Sequence, residues 1–249
     1  MSFSFTRYAD QGAFHWAQME TRSLYHFNAF QDACYKRALR ELGDIRGKHV
    51  VDIGAGDGAF SSLLARSGAR VTVVDNQQAG LDVAQKMFGL RKLTADFILG
   101  DAGKVPLPDA SADAVTCIEL IEHLDHPEEL MKEAKRILKP GGVFIVTTPH
   151  RLGEIPMSHF HVHEFYPTEL KALAEPFFTD VQVIESHHIF WFAFYGYRFK
   201  ALRRIQIGKY IINMMTLWFR SNPFSRDGSK REKRDYFTQL TLRARKPLS

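Results

Sequence analysis

The chain has 249 residues, 45% hydrophobic and 24% charged, with a formal net charge of +5. One substantial core with additions is the simplest organisation for that length, and the composition is that of an ordinary globular protein. Cys34 and Cys117 are the only cysteines. They lie far apart in apolar surroundings, which excludes a disulfide framework and makes a reducing cytoplasm the expected location. The first residues lack the layout of a signal peptide, and no stretch approaches the roughly 20 apolar residues of a membrane span. A soluble or peripheral protein is expected.

Residues 1–46 form an N-terminal extension. Phe30, Ala33, Cys34, Ala38 and Leu42 recur at helical spacing and predict a helix leading into the first strand. Upstream, Phe14, His15, Trp16 and Tyr25 make an aromatic segment to which no chemistry is assigned. The stretch His49 to Phe60 then reads as a short buried strand, a glycine turn and a helix start. Gly54, Gly56 and Gly58 leave no Cβ over the turn, so a ligand can lie against backbone amides. The same pattern also suits a tight structural turn. Its spacing is G-x-G-x-G after Asp52, not the G-x-G-x-x-G of dinucleotide-binding folds. A second strand ends at Asp75, where an acid accepts hydrogen bonds from ribose hydroxyls in doubly wound folds.

Further along, Ala79, Leu81, Ala84, Met87 and Phe88 predict a second helix, and Phe97 to Asp101 a third strand. A fourth strand, Ala114 to Ile118, runs into Glu119-Leu120-Ile121-Glu122-His123. Two acids and a histidine thus fall just beyond a strand end, where open α/β sheets bind ligands. A helix start with favourable acids is the plain alternative. After a fifth strand, Val143 to Thr148, comes His159-Phe160-His161-Val162-His163-Glu164. In extended backbone those three histidines would share a face and could fold over the same crevice. A helix from Pro167 to Phe178 and a sixth strand, Val181 to Glu185, are expected next.

Asp52-Ile53-Gly54-Ala55-Gly56-Asp57-Gly58 resembles the first motif of class I S-adenosylmethionine-dependent methyltransferases. Asp75, with Asn76 beside it, matches their ribose-binding acid. Gly100-Asp101-Ala102 is similar to the motif that meets the adenine ring, and Leu138-Lys139-Pro140-Gly141-Gly142 to the turn before their fifth strand. The resemblance covers residues 47–149. It implies S-adenosylmethionine as methyl donor, S-adenosylhomocysteine as product, and a cofactor site of Asp52, Gly54, Ala55, Gly56, Asp75, Asn76, Asp101, Ala102 and Glu119. The expected fold is α/β: a doubly wound, seven-stranded mixed sheet with an N-terminal helical extension and a helical insertion before the last strand.

Two mechanisms suit the acid–histidine clusters. In one, His123 or His161 is a general base for a hydroxyl acceptor, with Glu122 alongside. In the other, Glu119, Glu122, His123 and His161 hold a divalent cation, Zn²⁺, Mn²⁺ or Fe²⁺ by ligand softness rather than Mg²⁺. The E-x-x-E-H element resembles ubiquinone-biosynthesis O-methyltransferases and small-RNA 2′-O-methyltransferases, which implies a metal near the acceptor. His161-Val162-His163-Glu164-Phe165, followed by Glu169-Leu170, resembles a second element of bacterial small-molecule methyltransferases.

The C-terminal region departs from the rest. Residues 189–249 hold fourteen Lys and Arg against three Asp and Glu, leaving the first 188 residues net acidic. With a core at 47–188 and a last strand and tail at 237–249, residues 189–236 form a basic, apolar insertion too long for a simple loop. Three roles are open to it: a lid, a dimer contact, or peripheral membrane contact through 189–220. Residues 229–234 are expected to be a solvated turn. The reading is O-methylation of a small, lipid-like or glycosidic acceptor in the cytoplasm. An RNA 2′-O-methyltransferase-like enzyme is the alternative, although no nucleic-acid module is recognisable. A dehydrogenase lacks its fingerprint, and a non-catalytic nucleotide-binding protein would keep the fold alone.

Overall fold

The computed structural model describes residues 12–153, 158–198, 205–225 and 236–248. Seven strands form one sheet: β1 (His49–Ile53), β2 (Arg70–Asp75), β3 (Asp96–Leu99), β4 (Ala112–Ile118), β5 (Leu138–Pro149), β6 (Thr179–His188) and β7 (Phe237–Arg245). Their order is 3-2-1-4-5-7-6. Strands 1 to 5 pair in parallel, and β7 is antiparallel to both β5 and β6. This is the expected seven-stranded mixed sheet. The order reverses between β1 and β4, so the crevice for a ligand opens beyond the carboxyl ends of these strands.

Helices cover both faces. On one side lie α1 (Phe14–Glu20), α2 (Ala29–Leu42), α3 (Ala59–Arg66) and α4 (Gln78–Leu90). Trp16, Tyr35, Leu64 and Phe88 pack there against Val50, Val71 and Val73. On the other side, α5 (Pro127–Ile137) and α6 (Pro167–Ala174) press Leu130, Met131, Ile137 and Leu170 onto Val51, Val115 and Phe144. Alternate residues of β1 feed the two cores, as period-two side chains on a doubly covered strand must.

Several boundaries differ from the sequence expectation. β5 begins at Leu138, so Lys139 to Gly142 lies inside the strand instead of forming a turn before it. The register shifts between Ala112 and Ala114, and Gly141 takes a positive φ of 75°. A bulge thus absorbs the glycines and pairing resumes beyond them. The helix expected to reach Phe178 ends at Ala174, and β6 extends from Thr179 to His188. The insertion contributes α7 (Ile189–Gly196) and α8 (Ile207–Phe219). Both pack near the start of α2: Trp191, Phe194 and Ile212, with Phe224 of the 3₁₀ turn after α8, lie against Phe27, Ala29 and Ala33. Residues 229–234, together with Lys200, Arg203 and Arg204, lie outside the described residues.

Candidate active site

The turn after β1 is tied to β2: the Gly54 and Ala55 amides both donate to the Val74 carbonyl, at 2.8 and 3.1 Å. Gly54 has φ +71°, and a Cβ there would stand 2.4 Å from Leu120 Cδ2. The conformation therefore favours glycine, and an added Cβ would have to push the Leu120 side chain aside. At the tip of β2, Asp75 accepts the Gly56 amide at 2.7 Å and the Gln77 amide at 2.9 Å. Burial raises its carboxyl pKa while these amides pull the other way. Each carboxylate oxygen retains a second lone pair, which suits a ribose diol. Asn76 follows, exposed, and Asp101 lies exposed just past β3, accepting the Gly103 amide at 2.8 Å, with Ala102 half-buried beside it. Gly54, Ala55, Gly56, Asp75, Asn76, Asp101 and Ala102 thus stand along one edge of the sheet. A narrow glycine turn and a carboxylate acceptor fit a nucleoside ligand.

Asp52, the acid that opens the motif, lies inside the sheet. It is 1% exposed, and its two oxygens accept the Ser61 hydroxyl at 2.5 Å and the Thr116 hydroxyl at 2.7 Å. Burial lifts its pKa to about 6. Its side chain braces β1 against α3 and β4.

The aromatic N-terminal segment has a role that its sequence did not disclose. In α1, the Trp16 indole donates to the Asp57 carbonyl at 2.6 Å. The His15 amide donates to the Asp57 carboxylate at 3.0 Å. Trp16 is buried, and the Arg91 guanidinium sits 4.5 Å from its ring centroid. One helix therefore clamps the glycine turn from outside. A tryptophan 41 residues from its partner leaves no periodic signal.

Beyond β4 the chain turns sharply. Glu119 takes φ +53°, a left-handed conformation that non-glycine residues enter at a cost of about 1–2 kcal/mol. Its amide donates to the Thr147 carbonyl at 3.1 Å. Its carboxylate accepts the Thr147 hydroxyl at 2.8 Å and the Gln239 amide at 2.6 Å. The next residues form a 3₁₀ turn, Ile121–His123. Glu122 is 1% exposed and accepts the Thr148 hydroxyl at 2.9 Å. Burial raises the pKa of both acids, and the charge of Glu119 pushes Glu122 further up.

Glu122, His123 and His161 each offer a ligand atom within 4.8 Å of the others. Glu119 is not part of that group; its carboxylate is held by Thr147 and Gln239, so three of the four expected metal ligands converge. The two imidazoles meet edge to face, 5.2 Å between centroids. His123 Nδ1 lies 2.9 Å from the Phe160 carbonyl, which can only accept, so Nδ1 carries the proton and Nε2 is the basic nitrogen of the neutral ring. Burial lowers the His123 pKa, against the Phe160 hydrogen bond. His161 Nδ1 lies 2.6 Å from Glu164 Oε1, so a buried carboxylate orients the second ring.

The three histidines do not share a face. The segment is a turn, with the His161 amide donating to the Ser158 carbonyl at 3.1 Å. Val162 and His163 donate to the Glu122 carbonyl at 2.8 and 3.2 Å. Only His161 is thereby swung inward; His159 stacks on Phe160 in solvent, and His163 lies 3.7 Å from Glu169. Thr147, Thr148 and Gln239 were not singled out from sequence, and Glu164, quoted within the histidine element, had no role assigned. Threonines ending a strand look like strand formers, and Gln239 comes from the far end of the chain.

Residues 51–146 match a family described as a methyltransferase domain. A probable S-adenosylmethionine-dependent methyltransferase of Mycolicibacterium smegmatis is 34% identical over 134 residues, covering 52% of this chain and 51% of that protein. The ubiquinone biosynthesis O-methyltransferase of Coxiella burnetii is 35% identical over 107 residues, covering 43% and 46%. The chain spans about half the length of these curated relatives. Among solved structures, Haemonchus contortus phosphoethanolamine N-methyltransferase 2, crystallised with S-adenosylhomocysteine, matches with TM-score 0.66 and 19% identity, covering 97% of this chain and 58% of that one. The PH0226 protein of Pyrococcus horikoshii matches with TM-score 0.62 and 19% identity over 98% and 99%. These similarities join the strand order and the residues at the strand tips in one conclusion: residues 51–146 carry a methyltransferase domain, and over about half its length the chain is similar to S-adenosylmethionine-dependent methyltransferases, the ubiquinone-biosynthesis O-methyltransferases among them.

Proposed function

We propose that the protein transfers a methyl group from S-adenosylmethionine to a hydroxyl of a small or lipid-like acceptor. The observation that carries this reading is the juxtaposition of His123 and His161, each oriented through Nδ1, beyond the end of β4, where Leu120 packs on Gly54 of the glycine turn. When bound, S-adenosylmethionine supplies an electrophilic methyl group on a sulfonium. Asp75 and the glycine-turn amides would hold its ribose and the adjoining chain, with Asp101 and Ala102 toward the base. His123 Nε2 would take the acceptor's hydroxyl proton, an act that a lowered pKa favours at neutral pH because the ring is already neutral. Most of the remaining rate enhancement would come from aligning acceptor oxygen, methyl carbon and sulfur.

A second reading is favoured by one observation, the 4.8 Å convergence of Glu122, His123 and His161. One carboxylate and two imidazoles would suit Zn²⁺, Mn²⁺ or Fe²⁺, and a cation there would acidify the acceptor hydroxyl. His161, oriented by Glu164, has the second-sphere partner that ligating histidines use. The similarity to ubiquinone-biosynthesis O-methyltransferases supports a phenolic or polyprenyl acceptor, and peripheral membrane contact through 189–220 is consistent with one.

The test is calorimetric binding of S-adenosylhomocysteine to wild type and Asp75→Ala, followed by methyl transfer to phenolic acceptors by wild type and His123→Ala. The expected result is binding at least tenfold weaker in Asp75→Ala. His123→Ala should bind the cofactor normally and lose about 10²–10⁴-fold in turnover. Cofactor binding unaffected by Asp75→Ala would sink the site assignment. Repeating the assay with chelator separates the two readings, since only the second loses turnover.

A further inference from the structure

Helix α8 is inside out. Its buried positions are Gly208, Ile212, Asn213 and Thr216, so half of the face turned toward the protein is polar. Asn213 donates to the Leu24 and Phe27 carbonyls at 2.8 and 2.7 Å and accepts the Tyr195 hydroxyl at 3.1 Å. The opposite stripe, Ile207, Ile211, Met214 and Trp218, runs at i, i+4, i+7 and i+11 and contains no polar residue. Trp218 is 64% exposed and Ile211 38%, and Phe219 next to the stripe is 69% exposed. A surface helix ordinarily turns such a stripe to the core; here Ile211 and Trp218 are exposed, with Ile207 and Met214 half-buried between them and the protein.

The charge around the stripe says what covers it. Between Glu185 and Asp227 there is no Asp or Glu, while lysines and arginines recur throughout. Arg220 caps α8 and is exposed, and Arg198 is exposed beyond α7. A second copy of the chain seated on this face would bring like charges together. An anionic bilayer instead offers hydrocarbon for the stripe, an interfacial zone for Trp218 and phosphates for the arginines. Position agrees with this. β6 runs parallel to β5, so α7 and α8 leave the sheet at the same end as the candidate active site.

We infer that the outward face of α8 docks the protein on anionic phospholipid membranes. This deepens the lipid-like-acceptor reading and rests on it. The test is cosedimentation of the full chain with vesicles of phosphatidylcholine alone and of phosphatidylcholine with phosphatidylglycerol. Wild type, Trp218→Ser and Ile211→Glu/Trp218→Glu are compared, with S-adenosylhomocysteine binding measured on each. The expected result is salt-sensitive binding to the anionic vesicles, a blue shift of tryptophan emission, and at least a tenfold loss of binding in the double variant with cofactor binding intact. Equal vesicle binding by wild type and double variant, or none by wild type, would overturn the inference and leave the methyltransferase reading standing. A concentration-dependent dimer in lipid-free sedimentation that the double variant abolishes would overturn it in favour of a second copy. Because cofactor binding is read separately, failure of the catalytic reading appears there and not in the vesicle data.

Discussion

Asp52 beneath the glycine turn and His123 beyond β4 each have a titration that follows from their surroundings. Asp52 titrates near 6 in the folded chain against an ordinary 3.8. Its folded pKa is raised, so between about pH 4 and 6 the native state holds a proton that the unfolded state has lost. Stability from this group is greatest below pH 4 and falls as pH rises through that window, by up to about 3 kcal/mol. Asp52→Asn removes the titration. Thermal melts should show the variant gaining on wild type from pH 4 to 7, and a parallel pH dependence of the two would refute the account. For His123, a lowered pKa implies that turnover climbs to its plateau below the ordinary imidazole value of 6.5. A kcat/KM profile still rising above pH 7 would exclude it as the base. Gly54→Ala meets two obstacles at once, a positive φ and Leu120 at 2.4 Å. It should abolish measurable cofactor binding, whereas calorimetry showing wild-type affinity would mean that the turn is not the ligand cradle.

At the level of elements, the clamp of α1 on the glycine turn is the arrangement with the clearest consequence. Trp16 fills the space against Phe88 and bonds to Asp57 of the turn. Trp16→Ala should cost about 3–5 kcal/mol by cavity formation. Because the turn loses its outer support, cofactor affinity should fall as well, by an amount calorimetry can separate from unfolding. Affinity unchanged in a destabilised variant would confine α1 to packing. The α7–α8 contact is equally specific. A Cβ on Gly208 would stand 1.9 Å from the Phe194 carbonyl oxygen, so that glycine sets how closely the insertion's two helices cross.

For the whole molecule, the sheet order places the residues proposed for the nucleotide, at the ends of β1 to β3, and the acid–histidine group after β4 at one edge. Saturation with S-adenosylhomocysteine at about a hundred times its dissociation constant should stabilise the fold by about 2.7 kcal/mol, roughly 5–10 °C in Tm for a chain of this size. A chain whose Tm ignores the ligand would have no such site. No helix among the described residues is long and apolar enough to cross a membrane, which is compatible with the surface contact inferred for α8.

Much of this was legible in the amino-acid sequence, because the informative features are local. Short apolar runs specify covered parallel strands. Glycines at 54, 56 and 58 specify a tight turn of positive φ, and an acid at the end of β2 needs only its position to be read. The E-x-x-E-H element is read from sequence as lying just beyond the end of β4, where the fold places it. Distance in sequence hid the rest. Only the fold assigned Asp52 to Ser61 and Thr116, brought Gln239 from β7 onto Glu119, and folded α1 over Asp57. It also chose one histidine of three, since a turn pinned to the Glu122 carbonyl points His161 inward and leaves its neighbours outside. Composition and spacing determine which elements form and which chemistry they carry. Which side chains meet, and which face of α8 is left to the outside, are decided by packing between elements far apart in the chain, because burial and hydrogen bonding there are properties of the assembled sheet and not of any one segment.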